Sequence, residues 1–286
     1  MADRKYAKNV VPMKYVKGRG GANAKQMTFM NGEQMGGLEL NFVIGVYDET
    51  GDWAPDMGAH AHPFDECLVF FGYGEDFNYL GSDMSLAMGK EYEVRKFSAP
   101  MVVAAPANLP HCPLITEKVY DKFGHFHLAC SGKYAGTGVK QEGTTAGNKY
   151  KYLFHPMKAK NGKGGADARQ LITVEGAGDL AGVPLSFKLG IHNGTGEFYP
   201  GKGSCVHPYD SVLVFFGRQT DDISKLGAEI TVELGEEHEK HTFDVPTTIW
   251  LPKGTPHFPI TCNKCDHTYT FAEVQLTSKF KDEWKK

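Results

Sequence analysis

The sequence predicts an all-β protein in which one barrel-like unit is written twice. Three observations carry this. The apolar residues come in short β-branched and aromatic runs, punctuated by 34 Gly and 15 Pro among 286 residues. No stretch sustains a 3.6-residue apolar period, and only the C-terminal "SKFKDEWKK" leaves room for a short helix or a solvated tail. The second half also repeats the first in order and spacing. "GRGGANAKQM" at 18–27 returns as "GKGGADARQL" at 162–171, and "GAHAHPFDECLVFFG" at 58–72 returns as "GSCVHPYDSVLVFFG" at 203–217. "FSAPMVVAAPANLPHCP" at 97–113 returns as "FDVPTTIWLPKGTPHFP" at 243–259. The polar stretch "SGKYAGTGVKQEGTTAGNKYKY", 131–152, has little to bury and holds the join, dividing the chain into 1–142 and 143–286.

The elements follow in order. The Gly-rich arms at 18–27 and 162–171 do not fit a phosphate-binding loop, because both lead into strand-like sequence instead of a helix. Each is expected to pack on the other copy. "GLELNFVIGVYDE" alternates Leu40, Phe42, Ile44 and Val46 with Glu39, Asn41, Val43 and Gly45, which describes a strand with one apolar face. Its other face is either solvated or a pocket wall on which Glu39 and Asn41 touch substrate. "CLVFFG" and "MVVAAP" read as core strands. "FGHFHLAC" sends His125 and His127 to one side and Phe126 and Leu128 to the other. If the histidine side faces inward, both are candidate acid–base groups or supports for a metal ligand.

In "GAHAHPFDECLVFFG", His60 and His62 stand two apart and so share one side of a strand, with Glu66 four residues on. Two imidazoles and a carboxylate are donors that suit a divalent transition metal. A third imidazole, His111, follows in the turn-rich "PANLPHCPL". Its neighbour Cys112 falls on the opposite, core-facing side of a regular strand. "CNKC", Cys262 and Cys265, has half of a zinc or redox motif without the other half.

A formal charge of −3 gives no basic footprint for nucleic acid. No apolar stretch approaches the roughly 20 residues that cross a bilayer, so no membrane partner is expected. The start "MADRKYAKNV" lacks the apolar core of a signal peptide. Six cysteines are few for a disulfide framework. These readings make the cytoplasm the expected compartment and a small molecule the expected partner, with self-association left open.

The motifs resemble those of the cupin superfamily. A Gly, then HxHxxxE, then a further Gly is matched by Gly58, His60, His62, Glu66 and Gly72, with a shorter spacing after the first Gly than the usual pattern. The second motif, PxGxxH, is matched in the second copy by Pro252, Gly254 and His257; the first copy has Asn108 in the Gly place. Asn tolerates positive φ better than other non-Gly residues, so the turn can survive. The resemblance covers both halves and implies two tandem cupin barrels of the double-stranded β-helix, or jelly-roll, type. It also implies that His60, His62, Glu66 and His111 converge on one metal ion, with Fe(II) first and Mn, Ni or Zn as alternatives. The second copy departs from it, with Cys205, His207, Ser211 and His257 at the corresponding positions. The carboxylate is missing there, so a degenerate site is expected, although Cys205, His207 and His257 could still hold Zn(II) or Cu.

Open coordination positions in an apolar barrel lead to three functional readings. The first is an Fe(II) dioxygenase-type enzyme acting on a small chelating organic substrate. The second is a non-redox lyase, isomerase, hydrolase or decarboxylase using Mn, Ni or Zn as a Lewis acid. The third is a non-catalytic small-molecule-binding protein, disfavoured by the complete ligand set of copy one.

Overall fold

The computed structural model describes residues 4–140, 143, 145–219 and 221–285. Each copy folds into a larger and a smaller antiparallel sheet facing each other around a barrel. In the first copy the larger sheet runs in the order Tyr15–Lys17, Gln26–Met30, Asn41–Tyr47, Phe123–Ala129, Glu66–Gly72, Met101–Ala105. The smaller sheet holds Thr137–Gly138, His60–Ala61, His111–Val119, Ser82–Met88 and Glu93–Phe97, with Gly51–Asp52 paired beside them. The second copy repeats this arrangement, its larger sheet running through Gln170–Glu175, Ser186–His192, Tyr269–Gln275, Ser211–Gly217 and Thr247–Leu251.

The sequence of the central strands explains their place. All seven residues of Glu66–Gly72, and all seven of Phe123–Ala129, are buried. A strand covered on both faces reads as a continuous apolar run. One face, with Leu68, Phe70 and His125, looks into the barrel. The other, with Val69, Phe71 and Phe126, packs against Val212, Val214 and Phe216 of the second copy in one continuous core. Phe71 and Phe126 each place their rings 6.4 Å from Phe216.

The start of each copy crosses to the other. Val10–Pro12 pairs with Thr247–Ile249 of the second barrel, and Phe154–Pro156 pairs with Met101–Val103 of the first. The strand before each Gly-rich arm is thus a crossing element. The first arm folds back on its own copy, with Gly18 N–H donating to Lys25 O at 2.8 Å and Asn23 Nδ2 to Trp53 O at 2.8 Å. The second arm reaches the first copy as expected: Arg169 pairs with Glu75, Gln170 Nε2 donates to Asp76 Oδ1 at 2.9 Å, and Phe77 N–H donates to Gln170 Oε1 at 2.8 Å. The join proposed between 142 and 143 touches residue 142, which lies outside the described residues.

Two local expectations meet different outcomes. Asn108 adopts φ 64° where Gly254 adopts φ 80°, so the Asn turn keeps the left-handed backbone of the Gly turn. The C-terminal segment is neither helix nor free tail. Glu283–Lys285 pairs with Ser204–Val206, and the half-buried Trp284 packs against Phe258 with centroids 5.1 Å apart. Tertiary pairing decides the conformation of a segment this short.

Candidate metal centre

Three strands and one turn bring the imidazoles together. His60 pairs directly with His111 across the smaller sheet, and His62 follows two residues after His60. Ring centroids lie 4.6 Å apart for His60 and His111, 4.9 Å for His60 and His62, and 5.3 Å for His62 and His111. Glu66 opens the strand of the facing sheet and is 1% exposed. Its Oε1 lies 2.8 Å from His111 Nε2, and its Oε2 lies 2.7 Å from His127 Nε2 and 3.6 Å from His62 Nε2.

The backbone fixes which nitrogen of each ring points inward. His60 Nδ1 donates to Gly58 O at 3.1 Å, His111 Nδ1 to Leu109 O at 3.1 Å, and His62 Nδ1 to Ala135 O. A carbonyl only accepts, so each Nδ1 carries the proton and each Nε2 presents a lone pair to the centre. His111 Nε2 thus faces Glu66 Oε1 across 2.8 Å, a contact satisfied by a second proton on the ring or by a metal cation in its place. Three imidazole lone pairs and a carboxylate suit a divalent transition ion, and the donor set fits one.

The electrostatics agree. Burial, aided by repulsion from His111, holds His60 below its ordinary pKa, and burial does the same to His62. Burial also acts to raise the Glu66 carboxyl, but the His127 and His111 rings outweigh it and hold it well below the usual range. At neutral pH His60 and His62 are therefore neutral and Glu66 is anionic, whereas the Glu66 carboxylate outweighs burial at His111 and holds that ring above its ordinary pKa, so a metal bound there displaces a proton from it.

The cluster forms the floor of a cavity of about 340 Å³. Met27, Phe29, Val43, Met57, Leu68 and Leu114 give it apolar walls, and Arg19 and Tyr134 also line it. His125 lines it too, but its ring is wedged among Phe70, Trp53 and Tyr47 at centroid distances of 4.7, 5.1 and 5.9 Å. Its Nδ1 donates to Val69 O at 3.2 Å, and burial lowers its pKa to about 3.

His60, His62, Glu66, His111, His125 and His127 thus share one cavity. Glu39 and Asn41 do not reach it. Glu39 is exposed and accepts from Gly132 N–H at 3.0 Å, and Asn41 is buried at the strand's first residue, donating to Ser131 O at 2.8 Å. Both tie the strand entry to the 131–132 turn. The pocket-facing side of that strand begins at Val43, one pleat further on. Cys112 is buried in the core cluster, but on the same side as His111 and not opposite it, so that it also lines the cavity beside His60 and His111. Its φ of 77° and a register shift between His111 and Leu114 turn it inward. Sequence reasoning missed Arg19 and Tyr134, since both sit in irregular segments outside the HxHxxxE motif and nothing local marks them as pocket residues.

No protein-family model matches the chain, and no curated protein matches it. Among solved structures the likeness is to an oxalate decarboxylase of Bacillus subtilis. A structure used to assign its Mn(II) centres superposes with a TM-score of 0.64 at 8% identity, over 96% of this chain and 78% of that one. The same enzyme at pH 4.6 gives 0.63 at 10% identity with the same coverage. The chain has the bicupin fold. Each jelly roll of this bicupin carries its histidine cluster at the same place, where the short HxH strand, or its CxH counterpart, meets the strand after the PxGxxH turn.

Proposed function

We propose that this bicupin is a metal-dependent enzyme that acts in its first barrel on a small organic carboxylate, in a non-redox reaction of the decarboxylase or lyase type. The observation that carries the proposal is the convergence of three inward imidazole lone pairs and the Glu66 carboxylate on the floor of an open, otherwise apolar cavity. Bound there, a divalent ion supplies Lewis-acid polarisation of a chelating carboxylate. His60, His62, Glu66 and His111 hold it. His127 lies 2.7 Å from Glu66 Oε2 and is the imidazole placed to hold or move a proton beside the substrate. Arg19 is the one Lys or Arg on the described cavity wall and pairs with substrate negative charge not engaged at the metal. The apolar walls exclude water and take the body of the substrate. His125, kept neutral by its burial, is part of that wall.

The expected order of readings changes. The fold likeness to a Mn(II) decarboxylase supports the non-redox reading and Mn(II) over the Fe(II) dioxygenase placed first by the sequence. The test is incubation of Mn(II)-loaded protein with a panel of small mono- and dicarboxylates, measuring CO₂ release and oxygen uptake together. CO₂ release without stoichiometric oxygen consumption is expected. Product formed one-for-one with oxygen consumed would restore the dioxygenase reading.

A further inference from the structure

The second barrel carries a donor cluster of different composition. Cys205 pairs with His257 across its smaller sheet just as His60 pairs with His111, so a thiol stands in the place of an imidazole. The ligating atoms of Cys205, His207 and His257 lie within 4.8 Å of one another, and those of His207, Glu273 and Asp282 do so as well. His207 belongs to both groups.

The lost carboxylate has a replacement on another strand. Ser211 occupies the Glu66 position and engages His207 Nδ1 at 2.8 Å. Glu273 occupies the His127 position: it faces Leu213 as His127 faces Leu68. A carboxylate and an imidazole opposite each other in the first barrel have become a serine and a carboxylate in the second, which leaves an anion beside the cluster. Glu273 Oε1 lies 3.5 Å from His207 Nε2.

Two buried nitrogens in the cluster make no hydrogen bond, although His207 Nε2 also lies 3.4 Å from Asp282 Oδ1. His207 Nε2 and His257 Nε2 are buried without a hydrogen bond, in rings 2% and 1% exposed. His257 Nδ1 donates to Thr255 O at 3.2 Å, so its Nε2 presents a lone pair inward. The charges complete the case. Lys188 Nζ lies 3.2 Å from Glu273 and 3.0 Å from Asp282. Burial pushes the Cys205 thiol up to about 12, so it is neutral without a metal. Two carboxylates against that ammonium leave one negative charge, and the thiolate formed as a metal displaces the thiol proton makes two, which a divalent cation neutralises.

The surroundings are closed. Phe258 stands where Cys112 opens onto the first cavity, and Trp284 pairs with Cys205 from the C-terminal strand. A closed set of thiolate, imidazole and carboxylate donors is the arrangement of a structural zinc site, and an open one that of a catalytic site.

We infer that the second barrel binds one Zn(II) ion through Cys205, His207 and His257 as a structural centre, with the Glu273 and Asp282 carboxylates beside His207. The test uses full-length protein stripped by chelator and reloaded with Co(II), which gives a near-ultraviolet charge-transfer band only when a thiolate is a ligand. Wild type is expected to show the band, to take up two equivalents of Co(II), and to lose the band on titration with Zn(II). Cys205→Ser should abolish the band and weaken Zn(II) binding at this site more than about 100-fold. His62→Ala should lose one equivalent yet keep the band, and Cys112→Ser should also keep it. Absence of the band in wild type, or its persistence in Cys205→Ser, would overturn the inference and would point to a proton on His207 as the neutralising cation. Neither outcome touches the first barrel's assignment, which His62→Ala reads separately.

Discussion

Glu66 decides the character of the first site, because one carboxylate oxygen meets His111 Nε2 and the other meets His127. The two histidines have different roles. Removing a ligand empties the site, whereas removing His127 leaves the donor set whole. His127→Ala is therefore expected to retain metal near the wild-type level while turnover falls about 10²–10⁴-fold. Metal analysis beside steady-state kinetics checks this, and unchanged kinetics would make His127 a wall residue. The ligands were legible because HxHxxxE and the histidine after a turn are local patterns with one chemical use. Asn108 was legible too, since only a residue tolerant of positive φ can replace Gly there. Cys112 was not, because its inward turn depends on a register shift that two strands create together.

At the scale of elements, the reciprocal strand exchange ties each barrel to the start of the other copy. Asn9 Nδ2 donates to Trp250 O at 2.8 Å and Trp250 Nε1 donates to Lys8 O at 3.0 Å, so the N-terminal strand is bonded along the edge of the second barrel. Deleting residues 1–13 should expose the Thr247–Leu251 strand and make the second barrel the first point of proteolysis. Cleavage starting in the first barrel would show that the strand is dispensable. A second contact crosses the same boundary. A Cβ on Gly36 would lie 2.5 Å from the Trp250 ring, at a backbone φ of +66°. Gly36→Ala is expected to cost about 1–3 kcal/mol in denaturant unfolding, from overpacking and backbone strain together. The repeats showed that there are two barrels, but not that they trade strands. "NVVP" and "LFHP" carry no mark of which sheet they join.

Over the whole molecule the two larger sheets share a core, and a reciprocal polar pair closes its end. Tyr73 O–H donates to Gly217 O, while Arg218 Nη2 donates to Gly72 O at 2.7 Å across the same junction. Arg218 is buried, and its removal would leave those carbonyls unpaired. Arg218→Met should destabilise both barrels together, by about 2–4 kcal/mol. Acid should act on the whole molecule as well. Burial lowers His125 to about 3 and His192 to about 4 from an ordinary 6.5, so below 6.5 the unfolded chain binds protons that the folded one does not. Stability then falls as pH drops through that window, by about 2–3 kcal/mol per histidine at pH 4.5. Chemical unfolding at pH 7 and 4.5 measures the loss, and His192→Phe should remove its share. The bicupin architecture was legible because duplicated motifs fix order and spacing. The second barrel's chemistry was not, because Glu273, Asp282 and Lys188 meet only when two neighbouring strands and the C-terminal segment are brought together.

The central claim is that the first barrel works through a metal held by Glu66 and three histidines. Glu66→Gln keeps the side chain's shape and removes its charge, so metal content and carboxylate turnover of this variant beside wild type test the claim most directly. The expected result is a folded protein that loses the first barrel's metal and at least about 100-fold in turnover. Full metal content with turnover within about twofold of wild type would contradict it.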